Sequence, residues 1–439
     1  MKATALSLSA LMASIILLIT GNAFLTTLLG LRLSIEGFNA TVIGWTLVFY
    51  SIGFVGGTLY ASRIITRVGH IRAFAVFAAV LAAAILIHPM SVETWLWGGL
   101  RALAGFVMAG LMIVMESWFS SRADNTNRAS LFAVYQVVFF LSTAAGQVLI
   151  RIGDPADFIP FSLAAILVVL AVAPLSMTRH ASPTIEHGQR MTIRQLFQTS
   201  PVGTLGALVA GLLISAFYTM GPVYADRINL DVTQISNFMA SAIVAAMILA
   251  WPIGRLCDRY DRYRVILAAA ATAALCSLAA ALIGSFNMVL LILAVGLYMG
   301  ISATLYPIAV AITNDLMDTH EITSASTALL LSYGIGGCIG PIISSLFMQV
   351  LGPGGLFVSN ALILGALIAF IFAGSRQARS PAKQHETFYT TMPEAALGLE
   401  ELDPRNADFG HAHGEKQDFS DLDESIGTDI DEEMRATDA

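Results

Sequence analysis

The sequence predicts an all-α polytopic membrane protein: twelve transmembrane helices in two bundles of six, followed by a disordered acidic tail. Three observations carry this. The chain has 439 residues, of which 56% are hydrophobic and only 12% charged, against about 25% charged in soluble chains. Its mean hydropathy is +0.74. It also holds twelve apolar runs of the ~20 residues that a helix needs to cross a ~30 Å hydrocarbon core. Lipid offers the backbone no hydrogen-bond partner, so spanning runs of this length are helices; a membrane β-barrel would show short alternating segments.

In chain order the runs are 8–30, 41–62, 73–90, 95–118, 129–151, 157–177, 202–224, 232–256, 264–284, 287–313, 323–349 and 355–374. The first follows Lys2 and passes through Gly21-Asn22-Ala23, so it has the outline of a signal peptide. Its apolar stretch runs on to Leu29, and it is read as a retained first helix. Residues 178–201 form the longest loop between spans and divide the chain into bundles at 1–177 and 202–374. Residues 375–439 hold 16 acidic and 6 basic side chains and three prolines. Such a segment buries too little apolar surface to offset its ordering entropy, and it reads as a disordered cytoplasmic tail, either solubilising or regulatory.

An even number of spans puts both termini on one side. Placing them inside leaves only Arg32, Arg151 and Arg227 in the outer loops, while the other loop and flanking cations, from Lys2 and Arg63 through Arg264 to Lys383, lie inside. Positive residues resist translocation, so both termini are expected in the cytoplasm. Cys257, Cys276 and Cys338 are widely spaced, with neither a disulfide framework nor metal-ligand spacing. No lysine follows a glycine, so the chain carries no phosphate-gripping Walker loop. No cofactor, metal or nucleic acid is expected.

The halves repeat. Gly57 and Arg63 of the second span recur as Gly254 and Arg259 of the eighth, and Gly146 of the fifth as Gly340 of the eleventh, at a spacing of about 195 residues. Parallel repeats of this kind build transporters with a midplane site between the halves.

The segment Trp251 to Arg264 contains Gly254, Asp258 and Arg259 in the spacing Gly-x-x-x-Asp-Arg. It resembles the loop motif of the major facilitator superfamily, with Asp261 in place of that motif's second glycine. The first-half copy keeps Gly57 and Arg63, then Arg67, Gly69, His70 and Arg72, and lacks the acidic residue. Arg101 to Gly105 is similar to the family's fourth-span Arg-x-x-x-Gly motif. The eleventh-span run Gly334 to Pro341 resembles a Gly-Pro antiporter motif that the family places in the fifth span; Ala145-Gly146-Gln147 of this chain's fifth span lacks the proline, and packing is the expected role. Glu116-Ser117-Trp118 and the Trp251 segment also resemble a bacterial branch of transporters of unassigned substrate. The resemblance covers about residues 6–374. It implies alternating access by two six-helix bundles around a central site, in a cytoplasmic (inner) membrane.

Gating and coupling candidates follow. Glu116 ends the fourth span and is expected to pair with Arg63 or Arg67; Asp315 ends the tenth and is expected to pair with Arg255 or Arg259. Carboxylates at membrane depth normally have partners; these pairs are either state-dependent latches or permanent braces. The resemblance adds Gly254, Asp258 and Arg259 to the gating set. Arg101 is the basic residue deep inside a span, and either snorkels outward or serves coupling or anion binding; arginine does not give up its proton usefully. Near the midplane, Thr20, Asn22, Gln136, Tyr218, Tyr298, Thr304, Tyr306 and Tyr333 offer hydrogen bonds to a solute or to neighbouring helices. Asn22 and Gln136 lead, because the family's first and fifth spans flank the cavity; Tyr218 and Tyr306 complete the substrate-binding set. No midplane carboxylate lies in the first, second, fifth, seventh, eighth or eleventh span. Coupling to protons is left open, and a polycationic solute is disfavoured. Asn39-Ala40-Thr41 matches a glycosylation acceptor, relevant only in a secretory pathway.

The expected activity is secondary or facilitative transport of a small solute by a monomer in the bilayer. A sensor signalling through the tail is the alternative. An intramembrane enzyme is not expected, since the eight histidines are scattered rather than clustered at one depth.

Overall fold

The computed structural model describes residues 2–120, 128–176, 191–284, 286–317 and 321–374. The tail 375–439 and most of the 178–201 loop lie outside the described residues.

Among the described residues, twelve helical segments are long and apolar enough to span a membrane. Helices α1 (Lys2–Ile35), α2 (Ala40–Val68), α3 (His70–Ile87), α4 (Thr94–Ser120) and α5 (Arg128–Leu149) are the first five spans. The sixth is broken into α6 (Ile159–Leu170) and α7 (Val172–Ser176). A short helix α8 (Ile193–Thr199) precedes α9 (Pro201–Arg227), α10 (Val232–Arg259) and α11 (Arg262–Ile283). The tenth span is α12 (Met288–Ser302) plus α13 (Leu305–Asn314), and α14 (Ile322–Leu351) and α15 (Gly355–Gly374) close the chain. The two breaks share a cause. Pro174 and Pro307 have no N–H to give the carbonyl four residues back, and the helices stop at Leu170 and Ser302.

Local chemistry sets the helix starts. Asn39 accepts from Val42 N at the head of α2, Asp261 accepts from Arg264 N at the head of α11, and Asn287 accepts from Val289 N and Leu290 N at the head of α12. Asp231 and Gln234 form a reciprocal capping box on α10, as do Thr192 and Gln195 on α8. Helix α1 runs to Ile35, beyond the expected span of 8–30, because Arg32 in its last turn pairs with Glu36 at 2.6 Å and donates to the Ala156 carbonyl. Helix α8, unforeseen in the loop, buries Leu196.

Within the first half, α2 packs on α4, α1 on α5, and α3 on α4 and α6; within the second, α9 packs on α14, α10 on α12, and α11 on α12 and α15. The halves meet through α2 and α14, α5 and α10, and α1 and α9. Side chains such as Leu282, Val289 and Ile248 stay exposed on the outer surface, where lipid would cover them. The start of α1 and the end of α15 share one face, here the terminal face; the opposite face is the distal face.

Candidate functional site

The two pairs of packed helices that face each other across the molecule owe their closeness to glycine. A Cβ on Gly105 would overlap the Tyr50 carbonyl oxygen, and one on Gly53 the Ala102 carbonyl oxygen. So α2 and α4 touch backbone to backbone. That contact carries the Tyr50 ring over the guanidinium of Arg101, whose Cζ lies 4.2 Å from the ring centroid. In the second half, Gly336 and Gly340 of α14 meet the carbonyls of Leu208 and Leu212 on α9 in the same way.

Between these pairs lies a cavity of about 1260 Å³, counted to its open mouth. Its polar lining is Asn22, Thr26 and Thr27 from α1, Tyr50, Ser51 and Thr58 from α2, Arg101 from α4, Thr143 and Gln147 from α5, Ser215, Tyr218 and Thr219 from α9, and Tyr333 from α14. Phe54, Met108, Met112, Phe139 and Leu330 add apolar surface. Several of the polar groups are held by their neighbours. Asn22 Nδ2 donates to Tyr50 Oη at 3.3 Å, Thr27 Oγ1 donates to Gln147 Oε1 at 2.5 Å, and Ser215 Oγ donates to the Gly337 carbonyl at 2.7 Å. Asn22 Oδ1 has no hydrogen-bond partner.

The distal end is sealed by hydrogen bonds that cross between the halves. Arg151 Nε donates to Ser236 Oγ at 2.9 Å and its Nη2 to Asn237 Oδ1 at 2.5 Å. Ser236 Oγ donates to the Gln147 carbonyl at 2.9 Å. Ser34 Oγ donates to Asp226 Oδ2 at 2.5 Å, and Arg227 Nη2 to the Phe38 carbonyl at 3.1 Å. These groups sit at the distal ends of α1, α5, α9 and α10.

The residues expected from sequence divide by location. Asn22, Tyr218 and Arg101 line the cavity. Gln136 is buried on the cavity-facing stripe of α5, one turn nearer the terminal face than Phe139, and is not part of the lining. Tyr306 packs edge-on to Tyr333 at 5.4 Å and sits behind it. Of the other midplane candidates, Tyr333 lines the cavity, Tyr298 belongs to the core of the second half against Phe217 and Phe357, Thr20 donates to the Ser142 carbonyl, and Thr304 donates to the Ile301 carbonyl.

The gating pairs need correction. Asp315 is held by Arg262, not by Arg255 or Arg259: Nη1 of Arg262 lies 2.5 Å from Oδ1 and also donates to the Ala311 carbonyl at 2.8 Å. Arg255 instead lies over the Trp251 ring at 3.7 Å, and Arg259 and Asp258 are exposed, with Gly254 buried beside them. Glu116 is fully buried and accepts from Tyr135 Oη at 3.2 Å. Arg63 and Arg67 are exposed and make no ion pair with it; Arg63 lies against Tyr60 at 5.3 Å. Both observed pairs join helices of one half, which makes them braces of that half.

Sequence reasoning missed Tyr50, Thr143, Gln147, Ser215 and the distal contacts. Gln147 was within reach: it lies about three helical turns beyond Gln136 on the same stripe, and only its depth distinguished the two. From the sequence the distal arginines are loop charges alone.

The profile of the Major Facilitator Superfamily matches residues 5–302 and, in a second overlapping match, 203–402. An uncharacterized MFS-type transporter of Yersinia pestis is 29% identical over 368 residues, covering 82% of this chain and 93% of that one. An uncharacterized MFS-type transporter of Escherichia fergusonii is 27% identical over 375 residues, covering 84% and 96%. Among solved structures, the nucleoside transporter NupG superposes with a TM-score of 0.72 at 14% identity, over 85% of this chain and 100% of that one. A bacterial homologue of the human lysosomal transporter Spinster, in an inward-facing and unoccupied conformation, gives 0.66 at 15% identity, over 87% and 99%. With both halves matched and the same fold in transporters this distant, the chain belongs to the major facilitator superfamily, as an integral multi-pass membrane transport protein.

Proposed function

We propose that the protein moves a small solute across a cytoplasmic (inner) membrane by alternating access, as a monomer, with the terminal face cytoplasmic. The observation that carries this reading is a cavity built by both halves and sealed at one end by contacts that cross between them. Separation of Arg151 from Ser236 and Asn237, and of Ser34 from Asp226, would open the distal end without breaking either half. The orientation rests on the bias of loop arginines.

Access to the cavity tests the reading. In a protein whose native cysteines are replaced by serine, Ser215→Cys should react with a membrane-impermeant thiol reagent from the terminal side. Adding Arg151→Ala should raise labelling from the distal side several-fold. A cavity that stays closed to the distal side in the variant and under every ligand condition would overturn alternating access.

For proton coupling we propose Glu116, a carboxylate fully buried at membrane depth, where an ionisable group is costly unless it serves a function. In liposomes, Glu116→Gln should abolish the response of solute flux to an imposed pH gradient while leaving counterflow intact. An unchanged response would remove Glu116 from coupling.

A further inference from the structure

We propose that Arg101 is the anion-binding group of the central cavity, and that the transported solute is an amphipathic organic monocarboxylate. The proposal rests on the transport reading and adds the class of solute.

Arg101 is only 2% exposed, yet its Nε and Nη1 have no hydrogen-bond partner. Arg101 takes no part in the ion pairs Arg32 with Glu36 and Arg262 with Asp315. What faces Arg101 is the ring of Tyr50. A ring face compensates a desolvated cation in part and leaves the guanidinium donors unused. Burying a charge without a hydrogen-bonded counter-charge is expensive. Here the fold holds it rigidly, since the Gly105 contact fixes α4 against the backbone of Tyr50. The side chain is also part of the cavity wall, not of the lipid surface, so snorkelling does not account for it.

The rest of the lining selects further. It contains no aspartate, glutamate, lysine or histidine, so Arg101 supplies the one formal charge and a single negative charge balances it. A dianion would bring a second negative charge that no lining group balances. The planar guanidinium fork matches the two oxygens of a carboxylate. Around it, Phe54, Phe139, Met108 and Tyr218 offer apolar and aromatic surface for the solute's body, and Asn22 offers an amide whose Oδ1 is unused.

The test compares three probes of one shape on the purified full-length protein: 3-phenylpropanoate, 3-phenylpropanamide and 3-phenylpropylamine. The carboxylate should raise Tm by several degrees at saturation, because it binds the folded state alone. The neutral amide and the cationic amine should not. Arg101→Lys should weaken the carboxylate about 10-fold, since an ammonium cannot present the fork. Arg101→Gln should abolish the shift while the ligand-free Tm holds or rises, as an unpaired buried charge has been removed. Should Arg101→Gln not fold, the carboxylate–amide contrast on the unmodified protein decides alone. Equal shifts with carboxylate and amide, a carboxylate shift that survives Arg101→Gln, or no carboxylate shift would each overturn the proposal. Any of these alongside two-sided labelling of Ser215→Cys refutes the anion assignment alone; one-sided labelling refutes the transport reading beneath it.

Discussion

The two six-helix halves share a topology but close on different seams. In the first, the tight seam joins α2 to α4, where Gly53 and Gly105 admit the backbone of the partner helix. The corresponding contact in the second half, between α10 and α12, is looser. Gly300 stands about 195 residues after Gly105, and a Cβ there would meet the flexible end of Leu249 and, at 3.0 Å, the Ala245 carbonyl oxygen. The second half is tightest between α9 and α14, whose counterpart, α1 with α5, has the single approach of Gly146 to the Thr20 carbonyl. The braces near the terminal face differ too: a buried ion pair, Arg262 with Asp315, against a hydroxyl–carboxylate bond, Tyr135 to Glu116. Duplicated topology fixes which helices are neighbours. It leaves open which neighbours fuse, and the first half fuses the pair that presents its one cavity charge.

The largest break in this comparison should come from the ion pair. Arg262→Ala removes the guanidinium that Asp315 is paired with at a buried site, and should cost about 3–5 kcal/mol, read by reversible unfolding in mixed micelles. The double variant Arg262→Met with Asp315→Leu should recover most of that. A cost under about 1 kcal/mol for the single variant would deny the pair a structural role. Next come the seams. Gly105→Ala should lower stability by about 1–3 kcal/mol or more, because backbone must move, whereas Gly300→Ala should stay below about 1 kcal/mol, because Leu249 can turn aside. Equal costs would erase the asymmetry. Smallest is the first-half brace, where Glu116→Gln keeps a hydrogen-bonding group opposite Tyr135 and should cost about 1 kcal/mol; a loss as large as that of Arg262→Ala would make the two braces equivalent.

Much of this could be read from the sequence. Hydropathy located twelve spans because lipid imposes a length, and charge scarcity inside them made Arg101, Glu116 and Asp315 stand out. The partners of the carboxylates could not be read the same way. Arg255, Arg259 and Arg262 lie within eight residues at one helix junction, and only the rotation of α11 against α13 selects Arg262. Asn22, Tyr218 and Tyr333 were recognisable as midplane polar groups that reach the cavity. Tyr306 and Gln136 were indistinguishable from them by residue type and failed on depth or on being one layer back. Tyr50 gave no signal, since its place depends on a helix contact made by a glycine fifty-five residues away.

The distal seal is made of hydroxyl, amide, carbonyl and guanidinium groups and one carboxylate; Asp226 accepts from a neutral hydroxyl, and the two arginines, Arg151 and Arg227, donate to neutral acceptors. Water can take the place of each such partner as the gate opens, which offsets much of the loss. Direct arginine–carboxylate pairing would tie the seal more closely to ionic strength. The balance between the closed and open forms of this end is therefore governed by hydration of the gate and by what fills the space behind it more than by the salt of the surrounding medium.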